Sequence, residues 1–174
     1  MNTLPAVGLI FGSGLAGKFM SKGRKETFIL ACIVGILGSA VCLVENWAVF
    51  LTAKFVVGVS IGLTGVVVAR YIEEYVPLSW FGISQAIALC FLQAGIFIAH
   101  IMGAILPDDS DHEALAANTN WRIIFSVQPF LCTVTIILFY IFVGTDTPRF
   151  YIMQGDEIRA KQAISKIYRV NGDE

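Results

Sequence analysis

The protein is a chain of 174 residues, of which 56% are hydrophobic and 14% charged, with a formal net charge of −1 and a mean hydropathy of +0.74. A water-soluble domain of this size cannot bury so much apolar surface, so the composition indicates a membrane protein. The near-neutral charge argues against nucleic-acid binding, and the four cysteines lie in apolar runs with neither a disulfide pattern nor a zinc-binding spacing.

Five apolar stretches are each long enough to cross a membrane, which takes about 20 residues. The predicted spans, in chain order, are residues 4–20, 27–44, 47–69, 82–106 and 123–143. The first span has no basic segment before it and no cleavage signal after it, so we expect it to be retained rather than removed as a signal peptide. The predicted fold is an all-α membrane bundle over residues 1–143, followed by a tail over residues 144–174.

Basic residues gather at one end of this predicted bundle. They are Lys18, Lys22, Arg24, Lys25, Arg70, Arg149, Arg159, Lys161, Lys166 and Arg169. The connection at the opposite end, "LPDDSDHEALAANTN", holds four acids and neither Lys nor Arg. Because short basic loops stay on the side from which helices insert, we expect Met1 outside and the tail inside.

The tail pattern over residues 156–169 predicts an amphipathic helix lying along the inner membrane interface. Its apolar stripe would consist of Ile158, Ala160, Ala163, Ile164 and Ile167, with basic residues on the other face.

Small residues form ridges on three of the predicted spans. The ridges are Gly8, Gly12 and Ala16 on the first, Gly58, Gly62 and Gly65 on the third, and Gly95 and Gly103 on the fourth. Since membrane helices associate by close backbone approach, we expect these ridges to be packing seams rather than substrate-contact surfaces.

The most specific motif lies at the inner end of the third span, where Tyr71-x-x-Glu74-x-x-Pro77 is followed by Phe81-Gly82. This spacing resembles the sugar-porter branch of the major facilitator superfamily. Further matches occur in the same order as in that family, at Lys22–Lys25, at Lys54 with Gly58 and Gly62, at Trp121–Arg122 and at Thr145–Tyr151. The resemblance covers nearly the whole chain and implies the N-terminal half of such a transporter without its first helix.

The resemblance implies that inner-face charges act as a latch holding one state of an alternating-access cycle. Arg24 and Lys25 would supply its cations, Glu74 and Asp146 its anions, and Arg149 a second cation site. Exposed pairs contribute only about 0–1 kcal/mol each, so such a latch must work as a network. The alternative is that these charges only anchor helix ends in the head-group layer.

Several positions depart from the family pattern. Met20 stands where an acid is expected, Phe81 where an arginine is expected, and Leu89 where sugar porters carry a substrate-binding glutamine. Lys54 keeps the expected positive charge, but the family places its acidic partner on the first helix. Lys54 must therefore extend toward the outer interface or pair with an anion of another chain.

Two further polar residues are candidates for lining a cavity. Gln93 and His100 are seven residues apart on the fourth span and share a helix face. A hydrogen bond between helices explains them equally well. The sequence contains no nucleophile–base pair, phosphate-binding loop or metal-ligand spacing, so we expect neither an enzyme nor a bound cofactor or metal.

Two functions follow from the resemblance. The favoured one is a shortened sugar-porter half that serves as a structural subunit of a larger membrane complex, because the departures fall on parts that transport needs. The other is an active transporter of a hexose-like solute, formed by pairing with itself or with a second half. A third reading, a fragment of a longer protein, is disfavoured by the initial methionine. Expected partners are lipid and other membrane chains, in a plasma membrane or an organelle inner membrane such as the mitochondrial one.

Overall fold

A computed structural model describes residues 3–104, 106, 119–143 and 145–168, with the side chains of residues 166–168 left out. The described residues form seven helices: α1 (Thr3–Met20), α2 (Arg24–Val41), α3 (Trp47–Tyr75), α4 (Phe81–Ala104), α5 (Asn120–Phe142), α6 (Pro148–Met153) and α7 (Glu157–Tyr168). The all-α fold is therefore confirmed for this part of the chain. Residues 107–118, which hold the predicted acidic connection, and Arg169 lie outside the described residues.

Four of the described helices, α1, α3, α4 and α5, are long and apolar enough to cross a membrane. Helix α2 has 18 residues, but Arg24, Lys25 and Glu26 occupy its first turn. It begins at Arg24, directly after the N-cap residue Gly23 and three residues before the predicted start of the span at Thr27. These charges fit a helix end at the membrane surface.

Helix α3 continues to Tyr75, six residues beyond the predicted end of the span. The Asn46 side chain caps its start by accepting hydrogen bonds from the backbone N–H groups of Ala48 at 3.0 Å and Val49 at 3.4 Å. The helix stops just before Pro77, whose ring disfavours helical geometry in Val76. The charged residues after the apolar run therefore remain helical.

The core of the bundle is centred on α3, which packs against both α1 and α2, while α5 packs against α2. Gly58 and Gly62 touch the α1 backbone so closely that a Cβ at either would overlap the carbonyl oxygen of Pro5 or Leu9. At Gly65, Gly95 and Gly103, by contrast, a Cβ would meet no described atom within 4 Å outside the adjacent backbone of its own helix. In the described residues, α1 and α3 thus meet along their predicted ridges, whereas the α4 ridge touches no neighbour.

The tail contains two helices where one was expected. Pro148 starts α6, for which proline at the first position is well suited, and α7 packs against α6. On α7, Ala160 and Ala163 are buried, while Ile158 is 73% exposed. The two alanines of the predicted stripe therefore face protein, whereas Ile158 faces outward and Ile164 is partly exposed at 37%.

Candidate functional site at the basic end of the bundle

Three segments distant in sequence converge at the basic end of the bundle: the start of α2, the end of α3, and the chain entering α6. Arg24 and Glu74 form an ion pair there, with Nη2 and Oε1 separated by 3.1 Å. Only 11% of the Arg24 side chain and 4% of the Glu74 side chain are exposed. Both charges have lost most of their hydration, so each depends on the other and on nearby dipoles.

Thr147 completes the coordination of Glu74. Its hydroxyl, which is fully buried, donates to the second carboxylate oxygen of Glu74. Arg24 also donates through Nη1 to the Met20 carbonyl oxygen at 3.3 Å, and its guanidinium lies 5.2 Å from the centre of the Phe150 ring. Both oxygens of Glu74 are thus occupied, and Arg24 contacts both α1 and α6.

Asp146 binds the start of α2 through the helix backbone. Its Oδ1 accepts a hydrogen bond from the Lys25 N–H at 2.8 Å. The residue at the N-cap is Gly23, which has no side chain to bind the free N–H groups of the first turn. Asp146 therefore caps α2 from 121 positions further along the chain.

Burial raises the pKa of Asp146 above its ordinary value, while the backbone N–H groups of Lys25 and Arg24 and the Arg24 charge oppose that shift. Gly23 has φ +155°, a region that favours glycine. A Cβ there would lie 3.4 Å from Oδ2 of Asp146. Together, Arg24, Glu74, Asp146 and Thr147 are called the basic-end network below.

Two tyrosines hold the segment that carries Asp146. The Tyr75 hydroxyl lies 3.3 Å from the Thr145 hydroxyl and 3.4 Å from the Thr145 carbonyl oxygen. The Asp146 N–H donates to the Tyr151 hydroxyl at 3.3 Å. The sequence analysis missed Thr147, Tyr75 and Tyr151. Tyr75 directly follows Glu74, and Thr147 and Tyr151 lie within the Thr145–Tyr151 match. These positions were the signal that could have identified them.

The other two predicted latch cations lie at the edge of this network. Lys25 Nζ is 4.7 Å from the centre of the Tyr140 ring, and the Lys25 backbone, rather than its charge, binds Asp146. Arg149 is exposed and lines a cleft beside Arg24.

Lys54 lies near the opposite end of α3, between two aromatic rings. Its Nζ is 4.5 Å from the centre of the Phe125 ring and 5.3 Å from that of Phe50. These cation–π contacts partly replace the expected anion. The sequence analysis missed these contacts because two phenylalanines in apolar helices carry no distinctive signal.

The cavity candidates on α4 are both exposed. His100 Nδ1 lies 2.8 Å from the Ile96 carbonyl oxygen within its own helix, and the clefts that open beside α3 in the described part of the chain are lined by neither His100, Gln93 nor Lys54. A cleft of about 490 Å³ does open between α3, α4 and α5, and its lining includes Gln85, Gln128 and Leu89. The two glutamines were missed, although amide side chains within apolar helices are themselves a signal.

Comparisons with known proteins show what the chain resembles. A sequence model of the family described as Sugar (and other) transporter matches residues 2–174. Hexose transporter 1 of Plasmodium yoelii yoelii is 27% identical over 93% of this chain and 34% of its own length. Plastidic glucose transporter 4 of Arabidopsis thaliana is 30% identical over 93% of this chain and 28% of its own length.

A solved structure of the xylose transporter XylE from E. coli, in a partially occluded inward-open conformation, has a similar fold. The TM-score is 0.75 at 18% identity, over 95% of this chain and 43% of that one. The chain thus spans about a third of the length of the curated relatives that it matches.

Proposed function

The chain belongs to the sugar transporter family of the major facilitator superfamily, and from that premise we propose that it forms one half-bundle of a carrier for a sugar or similar polar solute. Its basic-end network acts as the latch that holds one state of the transport cycle. The hexose and glucose transporters among its relatives support the solute class.

The observation that carries this proposal is the buried pair of Arg24 and Glu74. Removing one partner of a buried ion pair costs about 3–5 kcal/mol, because the other charge is left without compensation. The pair therefore favours the state in which α2, α3 and the α6 segment are together. It forms even though Met20 and Phe81 lack the charges expected at those positions.

Such a carrier needs more helices than this half-bundle provides. Transporters of this class hold their solute between two bundles that rock against each other. None of the residues of α4 or α5, all of which the structure describes, is buried. We propose that further helices, on the same or another polypeptide, cover α4 and α5 and bring an anion to Lys54.

Leu89 favours a second function, that of a structural subunit in a larger membrane complex. It lines the cleft between α3, α4 and α5, at the position where the family resemblance places a substrate-binding glutamine. An apolar residue there removes one solute hydrogen bond. Under either function, the membrane is the plasma membrane or an organelle inner membrane.

Glu74→Gln tests the latch directly. The substitution removes the charge that Arg24 binds, so uptake of labelled glucose by membranes carrying the protein with its natural partners should fall at least about tenfold. Glu73→Gln is the matched control, because Glu73, which precedes Glu74, pairs with Arg70 on the exposed surface. This variant should retain uptake.

Equal uptake by the Glu74→Gln and Glu73→Gln proteins at equal expression would refute the latch. The native size of the gently extracted protein separates the two functions. If the wild-type protein takes up no sugar and co-migrates with a complex of many proteins, the structural role replaces the carrier.

A further inference from the structure

A second cleft opens at the basic end of the bundle, between the ends of α1 and α3 and helix α6. Its volume is about 300 Å³, and three arginines, Arg24, Arg70 and Arg149, contribute to its lining. This volume lies at the lower end of the roughly 300–1,000 Å³ that is usual for small-molecule sites. The cleft therefore combines a concave, partly open space with a concentration of positive charge.

The carboxylates near this cleft do not neutralise all three arginines. Glu74 also lines it, but its two oxygens bind Arg24 and Thr147. Arg70 pairs with Glu73 at 2.7 Å, yet 52% and 44% of these side chains are exposed, so water and salt weaken the pair. Arg149 forms no ion pair with any described residue.

Met20 leaves the cleft with more net positive charge than an acidic residue at the same position would. This residue lines the cleft at the last position of α1. Its neutral side chain leaves that wall without a carboxylate that could pair with Arg149 or Arg70. The cleft thus presents two guanidinium groups that can still accept an anion.

We propose that this cleft binds a phosphate group, held by Arg149 and Arg70. A guanidinium presents paired N–H donors whose geometry matches phosphate oxygens. The basic end of a membrane bundle also lies at the level of the lipid head groups, where anionic phosphates concentrate. The phosphate belongs either to a lipid head group or to a free phosphate ion, and both supply the same chemistry.

Native mass spectrometry of the purified 174-residue protein tests this site. The protein is exchanged into detergent containing either phosphatidylglycerol or phosphatidylcholine, and the bound fraction is measured. The wild-type protein should retain one phosphatidylglycerol preferentially. Arg149→Gln removes a phosphate donor and Met20→Asp adds a competing carboxylate, so each should weaken retention about threefold or more.

Arg159→Gln is the matched control, because Arg159 is an exposed arginine of α7 that does not line the cleft and that pairs with Asp156. It should leave retention unchanged. The proposal fails if Arg149→Gln binds phosphatidylglycerol as the wild-type protein does, or if Arg159→Gln loses as much. Thermal melting checks that Met20→Asp still folds, and the exposed Arg149→Gln substitution provides the test if it does not.

A titration with inorganic phosphate distinguishes the two sources. Displacement of the lipid by millimolar phosphate, or direct phosphate binding that Arg149→Gln weakens, assigns the cleft to free phosphate. Retention of phosphatidylglycerol in the presence of phosphate assigns it to a lipid head group. If neither ligand binds, the site does not exist. None of these readouts depends on transport, so failure here leaves the proposed latch untouched.

Discussion

At the scale of single residues, Asp146 shows how a charge can act through a backbone rather than through an opposite charge. Its carboxylate binds the N–H of Lys25 at the start of α2, where the positive end of the helix dipole favours an anion. Gly23 supports this approach because it adopts φ +155°, a backbone conformation that residues with a side chain rarely adopt. Asp146, predicted as an anion of the latch, thus binds the N-terminal end of a helix.

Asp146 also predicts a specific dependence of stability on pH. Burial raises its pKa in the folded protein above the ordinary value of about 4, so the folded state takes up the proton more readily than the unfolded chain. The resulting stabilisation is present at low pH and is lost as pH rises through the folded pKa. The melting temperature of the wild-type protein, relative to that of Asp146→Asn, should therefore increase as pH falls from 7 toward 4. Parallel melting curves for the two proteins across this range would contradict the assignment.

At the scale of helices, α1 and α3 associate through backbone contact. Gly8 and Gly12 on α1 face the carbonyl oxygens of Phe55 and Val59 on α3, with no room for a side chain. Such an approach lets main-chain atoms of both helices make van der Waals contacts that larger residues would prevent. This seam positions the end of α3, and hence Glu74, relative to α1.

Gly58→Ala should disrupt this seam, because the new Cβ would overlap the carbonyl oxygen of Pro5. We expect a loss of about 1–3 kcal/mol in the free energy of unfolding, as for other overpacked contacts. Thermal unfolding in detergent measures it. Gly65→Ala, on the same helix but beside open space, should be neutral or slightly stabilising because alanine favours a helix. Equal melting temperatures for both variants would show that the seam does not hold the bundle.

At the scale of the whole molecule, the helices are unequally protected. α3 packs against both α1 and α2, whereas α4 contacts the rest of the described bundle sparsely and exposes most of its residues, including Phe91 at 76% and Phe97 at 67%. Lipid can cover such a surface, but the cleft beside it contains Gln85 and Gln128, which favour polar contacts. This arrangement underlies the proposal that further helices pack against α4.

The cysteines can report whether such a partner is present. Cys90 is exposed on α4, whereas Cys42 is buried at 1% exposure. In the purified chain, a small maleimide should modify Cys90 readily and Cys42 slowly. In the gently extracted native complex, a partner on α4 should slow the modification of Cys90 several-fold, as measured by mass spectrometry of the labelled peptides. Unchanged Cys90 reactivity between the two preparations would exclude a partner at this surface.

The sequence alone determined the helical class, most helix bounds to within a few residues, and the end of the bundle at which Arg24, Glu74 and Asp146 lie. These features depend on local hydropathy, on glycine and proline positions and on the distribution of charge, all of which can be read along the chain. Only the tertiary structure decided that Asp146 caps α2, that Thr147 and Arg24 share Glu74, and that Gly58 but not Gly95 touches another helix. Those contacts join residues up to 121 positions apart, and which of many similar residues meet depends on how the helices are rotated and packed, a property that no local pattern contains.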